Sequence, residues 1–118
     1  MPEGLKVLSR RKQDVVVLET EGYINNEGGE KIAAACNGCI AEGLHHFVLN
    51  LKKSDLVNSV GISYLIEVIE QLVELEGQMA FCCVEPAVAR TFRIMGLLNE
   101  AGLYDTEEEA LQAFGDSK

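Results

Sequence analysis

The stretch Asp55-Leu56-Val57-Asn58-Ser59-Val60-Gly61-Ile62-Ser63-Tyr64-Leu65 decides how this chain folds. The residues just before it, Phe47-Val48-Leu49-Asn50-Leu51, form a short apolar run rich in branched and aromatic side chains, which predicts a buried strand. The residues that follow are apolar at helical spacing and polar on the opposite face. The chain therefore passes from a buried strand through a polar turn directly into an amphipathic helix. The predicted inward residues of that helix are Ile62, Leu65, Ile66, Ile69, Leu72 and Val73.

The polar turn supplies the cap of this helix. Either Asn58 or Ser59 is predicted to be the N-cap, because both side chains can accept a hydrogen bond from a first-turn N–H group. Gly61 falls in the first turn, where the missing side chain lets a partner backbone approach closely. A helix N-terminus has unpaired N–H groups and a partial positive charge, so a hydroxyl here could carry a phosphate without an electrostatic penalty. We predict that this turn is the functional site.

Strands and helices alternate along the rest of the chain. Two apolar runs at residues 5–10 and 15–18 predict an antiparallel hairpin whose turn lies at residues 11–14. The alternation predicts an α/β fold with a mixed, mostly parallel sheet of four to five strands and about four helices packed mainly on one face. The other predicted elements are a helix at about 27–41 closed by Gly43, an end to the central helix at Gly77, a strand at 79–84, a helix at 86–95 ended by Gly96, a short strand near 102–104, and a last helix that starts with a capping box at 106–109.

Length and charge narrow the possible functions. A chain of 118 residues fits a single domain over 1–118, with a core at about 5–114 and a frayed tail at 115–118. The net charge of −9 argues against binding to nucleic acid or anionic membranes. The one basic cluster, Arg10-Arg11-Lys12, is interpreted as a solvated turn. No apolar run approaches the roughly 18 residues of a membrane span, and the first four residues lack the blocks of a signal peptide. We expect a cytoplasmic protein that does not insert into membranes.

Four cysteines raise the question of a metal or redox site. Cys36 and Cys39 form a C-x-x-C inside a predicted helix, whereas a redox motif is expected at a strand-to-helix junction. Cys82 and Cys83 are adjacent in a predicted strand, so their side chains should point to opposite faces. All four are interpreted as small buried hydrophobes. The alternative is a zinc or iron–sulfur site, with the His45-His46 pair as further ligands, but adjacent strand cysteines rarely converge on one ion. We predict neither a metal nor another cofactor.

Residues 56–62 resemble the signature of the STAS domain, the fold of anti-sigma factor antagonists, which are also called anti-anti-sigma factors. That signature is a hydrophobic pair, then Asp-Ser-Ser/Thr-Gly, then an apolar helix. Its first Ser is phosphorylated by the partner anti-sigma factor, which is a serine kinase. By this resemblance Ser59 matches the phosphoacceptor and Gly61 the glycine. Asn58 stands where the family has Asp, and Val60 replaces the second hydroxyl residue.

A second landmark of the family, Gly-x-Leu/Ile-Asp, is similar to Gly22-Tyr23-Ile24-Asn25, again with Asn in place of Asp. The resemblance covers about residues 7–114, and the order and spacing of the short motifs make it specific. Simpler interpretations stay open: Ser59 as a plain N-cap worth about 1 kcal/mol, Asn25 as a turn or cap residue, and Val60 as a core residue, which its neighbours favour over an exposed contact. The predicted partner-binding residues are Tyr23, Asn25, Asn58, Val60, Gly61 and Ser63, the last being a second hydroxyl candidate.

The resemblance implies a regulator without chemistry of its own. The protein would dock on a kinase-type anti-sigma factor, and phosphorylation of Ser59 would control the docking. The alternative is a non-phosphorylated STAS scaffold or regulatory subunit of a larger complex, in lipid or anion transport or stress signalling, which the two amides and Val60 favour. A weak homodimer is left open. The chain shows neither a Ser–His–Asp arrangement nor a G-x-x-x-x-G-K phosphate loop, so we do not expect an enzyme.

Overall fold

The computed structural model describes residues 4–115. Of the predicted frayed tail, Gly115 is the last residue of the final helix, and residues 116–118 lie outside the described part. The elements, in chain order, are β1 (Lys6–Lys12), β2 (Val15–Glu21), α1 (Asn26–Ala41), β3 (His46–Lys53), α2 (Ser59–Glu74), β4 (Gln78–Cys82), α3 (Pro86–Ile94), a 3₁₀ turn (Leu97–Asn99), β5 (Gly102–Tyr104) and α4 (Glu107–Gly115).

The sheet has the order β1-β2-β3-β4-β5. β1 pairs with β2 in antiparallel orientation, and the pairs β2–β3, β3–β4 and β4–β5 are parallel. Because consecutive parallel strands are neighbours, right-handed crossovers place their connecting helices on one face. α1, α2 and α3 accordingly contribute to one apolar cluster, while α4 covers the other face. The predicted fold is confirmed.

The core lies on both faces of the sheet. In β2, Val16 and Leu18 belong to the cluster under α1–α3, whereas Val15 and Val17 belong to the cluster under α4. This double coverage explains why β2 and β3 are continuous apolar runs rather than alternating ones. The largest fully buried side chains include Phe47, Phe81 and Phe92.

Two details of the predicted elements are wrong. β1 continues to Lys12, so the hairpin turn is only Gln13-Asp14, with Gln13 at a φ of 58°. On α2, Val73 is 43% exposed and Val68 is buried, because the buried residues recur every three to four positions as far as Leu72 and Val73 falls beside this stripe.

The end of α2 also differs from the prediction. The helix stops at Glu74, and Glu76 rather than Gly77 adopts the left-handed conformation, with a φ of 60°. Gly77 is needed for a different reason: a Cβ at this position would lie 2.2 Å from the His45 carbonyl oxygen. The glycine therefore permits close approach of the chain before β3 rather than a turn in the helix end.

All four cysteines pack against the core, but only Cys36 and Cys82 are buried; Cys39 and Cys83, interpreted as buried from the sequence, are partly exposed. Cys36 and Cys39 lie within α1 as predicted, and burial, with a smaller effect of Cys39, raises the pKa of Cys36 to about 12. The prediction of opposite faces for Cys82 and Cys83 is wrong: β4 ends at Cys82, and Cys83, at a φ of 60°, packs against the same cluster under α4. Among residues 4–115, no three His, Cys, Asp or Glu side chains lie close enough together to hold a metal ion.

A polar network fastens the start of α4 to the sheet. The Arg10 Nη2 donates to Glu107 Oε1 at 2.9 Å and also to Glu19, and the Asn50 Nδ2 donates to the same Glu107 oxygen at 3.0 Å. The predicted capping box is present in altered form. The Glu109 N–H donates to the Thr106 hydroxyl, but the Glu109 carboxylate accepts from the N–H of Asp105, not of Thr106. The network joins α4 to three neighbouring strands.

This network predicts a pH-dependent contribution to stability. The hydrogen bond from Arg10, helped by Asn50 and opposed by partial burial, holds the pKa of Glu107 below its usual value. A carboxylate whose pKa is lowered by folding stabilises the protein above its unfolded pKa of about 4.3, and this stabilisation is lost as the pH falls through the folded pKa. We expect Glu107→Gln to lower the free energy of unfolding at pH 7 by up to about 1 kcal/mol, since the pair is partly exposed.

Urea unfolding of the wild type and of Glu107→Gln, measured from pH 7 downwards, checks this expectation. The two free energies should converge on acidification. Glu108→Gln is the control, because it removes a neighbouring first-turn carboxylate that is exposed and lies outside the network. A difference that stays constant down to the acid range would contradict the assigned role of Glu107.

Candidate docking site

Two helix N-termini form the centre of the site, and each is capped by an asparagine. Asn25 precedes α1, and its Oδ1 accepts from the Gly28 N–H at 2.9 Å; Asn58 precedes α2, and its Oδ1 accepts from the Gly61 N–H at 2.8 Å. Both helices thus begin with the same Asn-x-x-Gly pattern. The structure selects Asn58 over Ser59 as the cap of α2 and places Ser59 at the first helical position.

The loops that carry the two asparagines are paired with each other. The Ile24 N–H donates to the Leu56 carbonyl at 2.9 Å, and the Asn58 N–H donates to the Ile24 carbonyl at 3.1 Å. Ile24 and Val57 form a parallel bridge that prolongs the β2–β3 pairing. The Asn58 side chain also donates to Asn26 Oδ1 at 3.4 Å. The predicted residues around Asn25 and Ser59, far apart in sequence, therefore lie side by side.

Gly61 lies below the surface and allows the Asn25 loop to approach α2 closely. It is buried, and a Cβ on it would lie 2.2 Å from the Ile24 carbonyl oxygen and 2.8 Å from that of Asn25. Gly29 of α1 is similarly close, since its Cβ would lie 2.7 Å from the Gly61 oxygen. The close approach predicted for Gly61 is thus made by the chain's own backbone, and Gly61 itself offers no surface to a partner.

The other predicted residues lie at the surface around these caps. Ser59 is exposed, and so is Ser63, whose hydroxyl donates to the Val60 carbonyl at 2.6 Å. The interpretation of Val60 as a core residue is wrong, because its position on the outer side of the first turn leaves it 43% exposed. Tyr23 is also exposed.

Leu56 also belongs to this surface, although the sequence motifs did not mark it as a site residue. It is 56% exposed, whereas the next residue, Val57, packs against the core. The signal was available: two apolar residues in the extended segment before the cap must point to opposite sides. Tyr23, Leu56 and Val60, which we call the apolar rim, are three of the large apolar side chains left exposed by the described chain.

At the start of α2 the electrostatics come from the backbone, whereas the first turn of α1 carries the exposed acidic side chain of Glu27. The first turn of α2 contains no acidic residue, so the partial positive charge of its N-terminus is not offset there. Both capping side chains are neutral amides, and their oxygens are engaged by N–H groups. The site can present an exposed hydroxyl and an apolar rim to another molecule.

Within residues 4–115, no helix is both long and apolar enough to cross a bilayer.

Comparison with known proteins agrees with this geometry. Residues 6–110 match the STAS domain family, and the chain belongs to that family. Within it, the chain is similar to anti-sigma factor antagonists. BtrV of Bordetella bronchiseptica, which bears that designation, is 24% identical over 110 residues, or 93% of this chain and 95% of that protein. The anti-sigma F factor antagonist of Paenibacillus polymyxa is 24% identical over 109 residues, or 92% and 93% of the two chains.

A solved structure extends the similarity to three dimensions. The crystal structure of an anti-sigma factor antagonist from Mycobacterium paratuberculosis has a TM-score of 0.83 to this chain at 25% identity, with 96% of each chain covered. The match therefore extends over nearly the whole chain.

Proposed function

We propose that this protein is a cytoplasmic anti-sigma factor antagonist that docks, through the surface around Ser59, on an anti-sigma factor of the serine-kinase type. In the same proposal, the kinase phosphorylates Ser59 and thereby ends the docking. The observation that carries the proposal is the placement of an exposed Ser59 hydroxyl at the first position of α2, directly beside the Asn25 loop and next to Val60 of the apolar rim. The protein contributes a binding surface and no catalytic group.

The apolar rim supports docking by another protein. Burying apolar surface yields about 25 cal/mol per Å², and a few aromatic or aliphatic anchors dominate the energy of most interfaces. Tyr23, Leu56 and Val60 are 41–56% exposed. Val60 follows Ser59 in the chain, and Tyr23 and Leu56 precede the bridged residues Ile24 and Val57. A partner that covers the rim gains this energy and at the same time reaches the Ser59 hydroxyl.

A phosphate on Ser59 would act differently on the two sides of the interface. It would add a charge of roughly −1.5 to −2, which the N-terminus of α2 accepts favourably. A partner surface shaped for an apolar rim and a bare hydroxyl would lose contacts and would have to desolvate the new charge. A cost of only about 1.4 kcal/mol lowers affinity tenfold, so one phosphate is enough for a switch.

The two capping asparagines bear on a second candidate function. Asn25 and Asn58 cap their helices as Asp would, but they bring no carboxylate to the hydroxyl. Phosphoryl transfer would then depend on the metal and base of the kinase. This observation favours, as the alternative, a STAS subunit that uses the same surface in a larger assembly without being phosphorylated.

Intact-mass measurement distinguishes the two functions. After incubation with serine-kinase anti-sigma factors from the same organism and Mg-ATP, we expect the mass of one added phosphate on the wild type and none on Ser59→Ala. Ser63→Ala is the matched control, since it removes an exposed hydroxyl one turn further along α2 and should still be phosphorylated. Absence of phosphate on the wild type, or loss of it only in Ser63→Ala, would contradict the proposal.

A further inference from the structure

Two hydroxyl groups form a hydrogen bond inside the core, where the chain leaves β2 and β3 for the two loops of the docking site. Thr20 lies near the end of β2, Ser54 follows β3, and their Oγ atoms are 2.7 Å apart. Thr20 is 2% and Ser54 0% exposed, and in the described part of the chain they are the only buried residues with polar side chains, apart from cysteines. Such a pair inside an apolar core calls for a physical reason.

The hydrogen bond lies where the pairing of β2 and β3 is irregular. Glu19 pairs with Asn50, but Glu21 pairs with Lys53, so β3 has one residue more than β2 between these pairs. A bulge of this kind interrupts the regular ladder of backbone hydrogen bonds. The loops that carry the site leave the sheet just beyond it, where the Gly22 N–H donates to the Lys53 carbonyl at 3.0 Å. The Thr20–Ser54 bond is the side-chain connection between the two strands at this point.

We propose that the Thr20–Ser54 pair is a positioning device that sets the Asn25 loop against the loop leading to Ser59. The geometry of the pair does not depend on the proposed function, but its role in preparing the loops for docking rests on that function. An apolar pair of the same size could fill this space at little cost in stability, because burying two hydroxyl groups yields little net energy even when they are paired. A hydrogen bond is directional, so it selects one relative placement of the two loops where shape-filling alone would allow several.

Hydrogen exchange of the Ile24 and Asn58 amides tests the proposal, since these N–H groups hold the two loops together. The amides of Leu18 and Val48, in the central strands, serve as the internal reference. We expect Thr20→Val to speed exchange at Ile24 and Asn58 at least tenfold relative to this reference. Thr20→Ser, which keeps a hydroxyl, should restore slow exchange. Thr91→Val is the matched control, because it removes a hydroxyl bond in α3, away from the site.

The double variant Thr20→Val/Ser54→Ala separates positioning from simple stability. Its global unfolding should return close to that of the wild type, because no buried hydroxyl is left unpaired, while exchange at Ile24 and Asn58 stays fast. The proposal would be overturned if the double variant recovered both the wild-type stability and slow exchange at Ile24 and Asn58. Equally fast exchange at these amides in Thr91→Val would overturn it as well. Phosphorylation of Ser59 should slow at least tenfold in the double variant. If the exchange results hold but the wild type is never phosphorylated, the proposed function fails and the positioning role stands.

Discussion

Gly61→Ala should destabilise this protein by about 3 kcal/mol, although alanine is the better helix former. A methyl group at this position would lie 2.2 Å from the Ile24 carbonyl oxygen and 2.8 Å from that of Asn25, and both obstacles are backbone atoms that cannot rotate away. Overpacking in a close-packed region typically costs 1–3 kcal/mol and occasionally more. The gain in helix propensity of up to about 1 kcal/mol does not offset this cost.

Urea unfolding measures the loss, and Gly38→Ala provides the matched control. Gly38 also lies inside a helix, α1, but a Cβ there meets nothing within 4 Å, so the same substitution should raise stability by up to about 1 kcal/mol. In the Gly61 variant, the amide resonances of Ile24 and Asn25 should shift as their loop is pushed outward. Equal responses of the two glycine variants would show that the contact between α2 and the Asn25 loop is looser than described.

Leu56→Ser should weaken docking on the proposed kinase partner by roughly 5- to 30-fold, which corresponds to 1–2 kcal/mol. The side chain is 56% exposed in the free protein, so a partner that covers the apolar rim removes this area from water. The stability of the free protein should change little, because the substitution removes few contacts with the core. Calorimetric titration of the unphosphorylated protein with the kinase gives the affinity.

Ile94→Ser is the control for this experiment. Ile94 is the more exposed side chain, at 77%, but it lies at the end of α3 and outside the apolar rim. Its substitution should leave the affinity unchanged within experimental error. If the Ile94 variant loses affinity and the Leu56 variant does not, the partner binds elsewhere and the docking surface is wrongly placed.

Much of the fold follows from local patterns in the sequence. The alternation of apolar runs and amphipathic segments predicted each strand and helix, and Pro86, Gly96 and the capping residues located several helix ends near their observed positions. The errors fell where local rules compete. Arg11 and Lys12 could have belonged to the hairpin turn equally well by propensity, and pairing of β1 with β2 over all seven residues decided in favour of the longer strand.

The candidate site was predictable in part for the same reason. Asn58, Ser59 and Asn25 stand in short motifs at the ends of predicted strands, and the carboxyl ends of parallel strands meet at one edge of the sheet. Exposure was harder to predict, because an apolar residue near a helix start can face inward or outward. Val60 was assigned to the wrong side, and Leu56 was not recognised as a surface residue.

The sequence by itself determined the order of the elements, the family resemblance and the choice of Ser59, because these depend on residues close together in the chain. Only the tertiary structure decided that Gly61 faces the Ile24 backbone, that Thr20 meets Ser54, and that Cys83 turns to the same side as Cys82. These contacts depend on strand register, a bulge and one left-handed residue. Such features are fixed by the packing of distant segments against each other, and no local pattern of side chains encodes them.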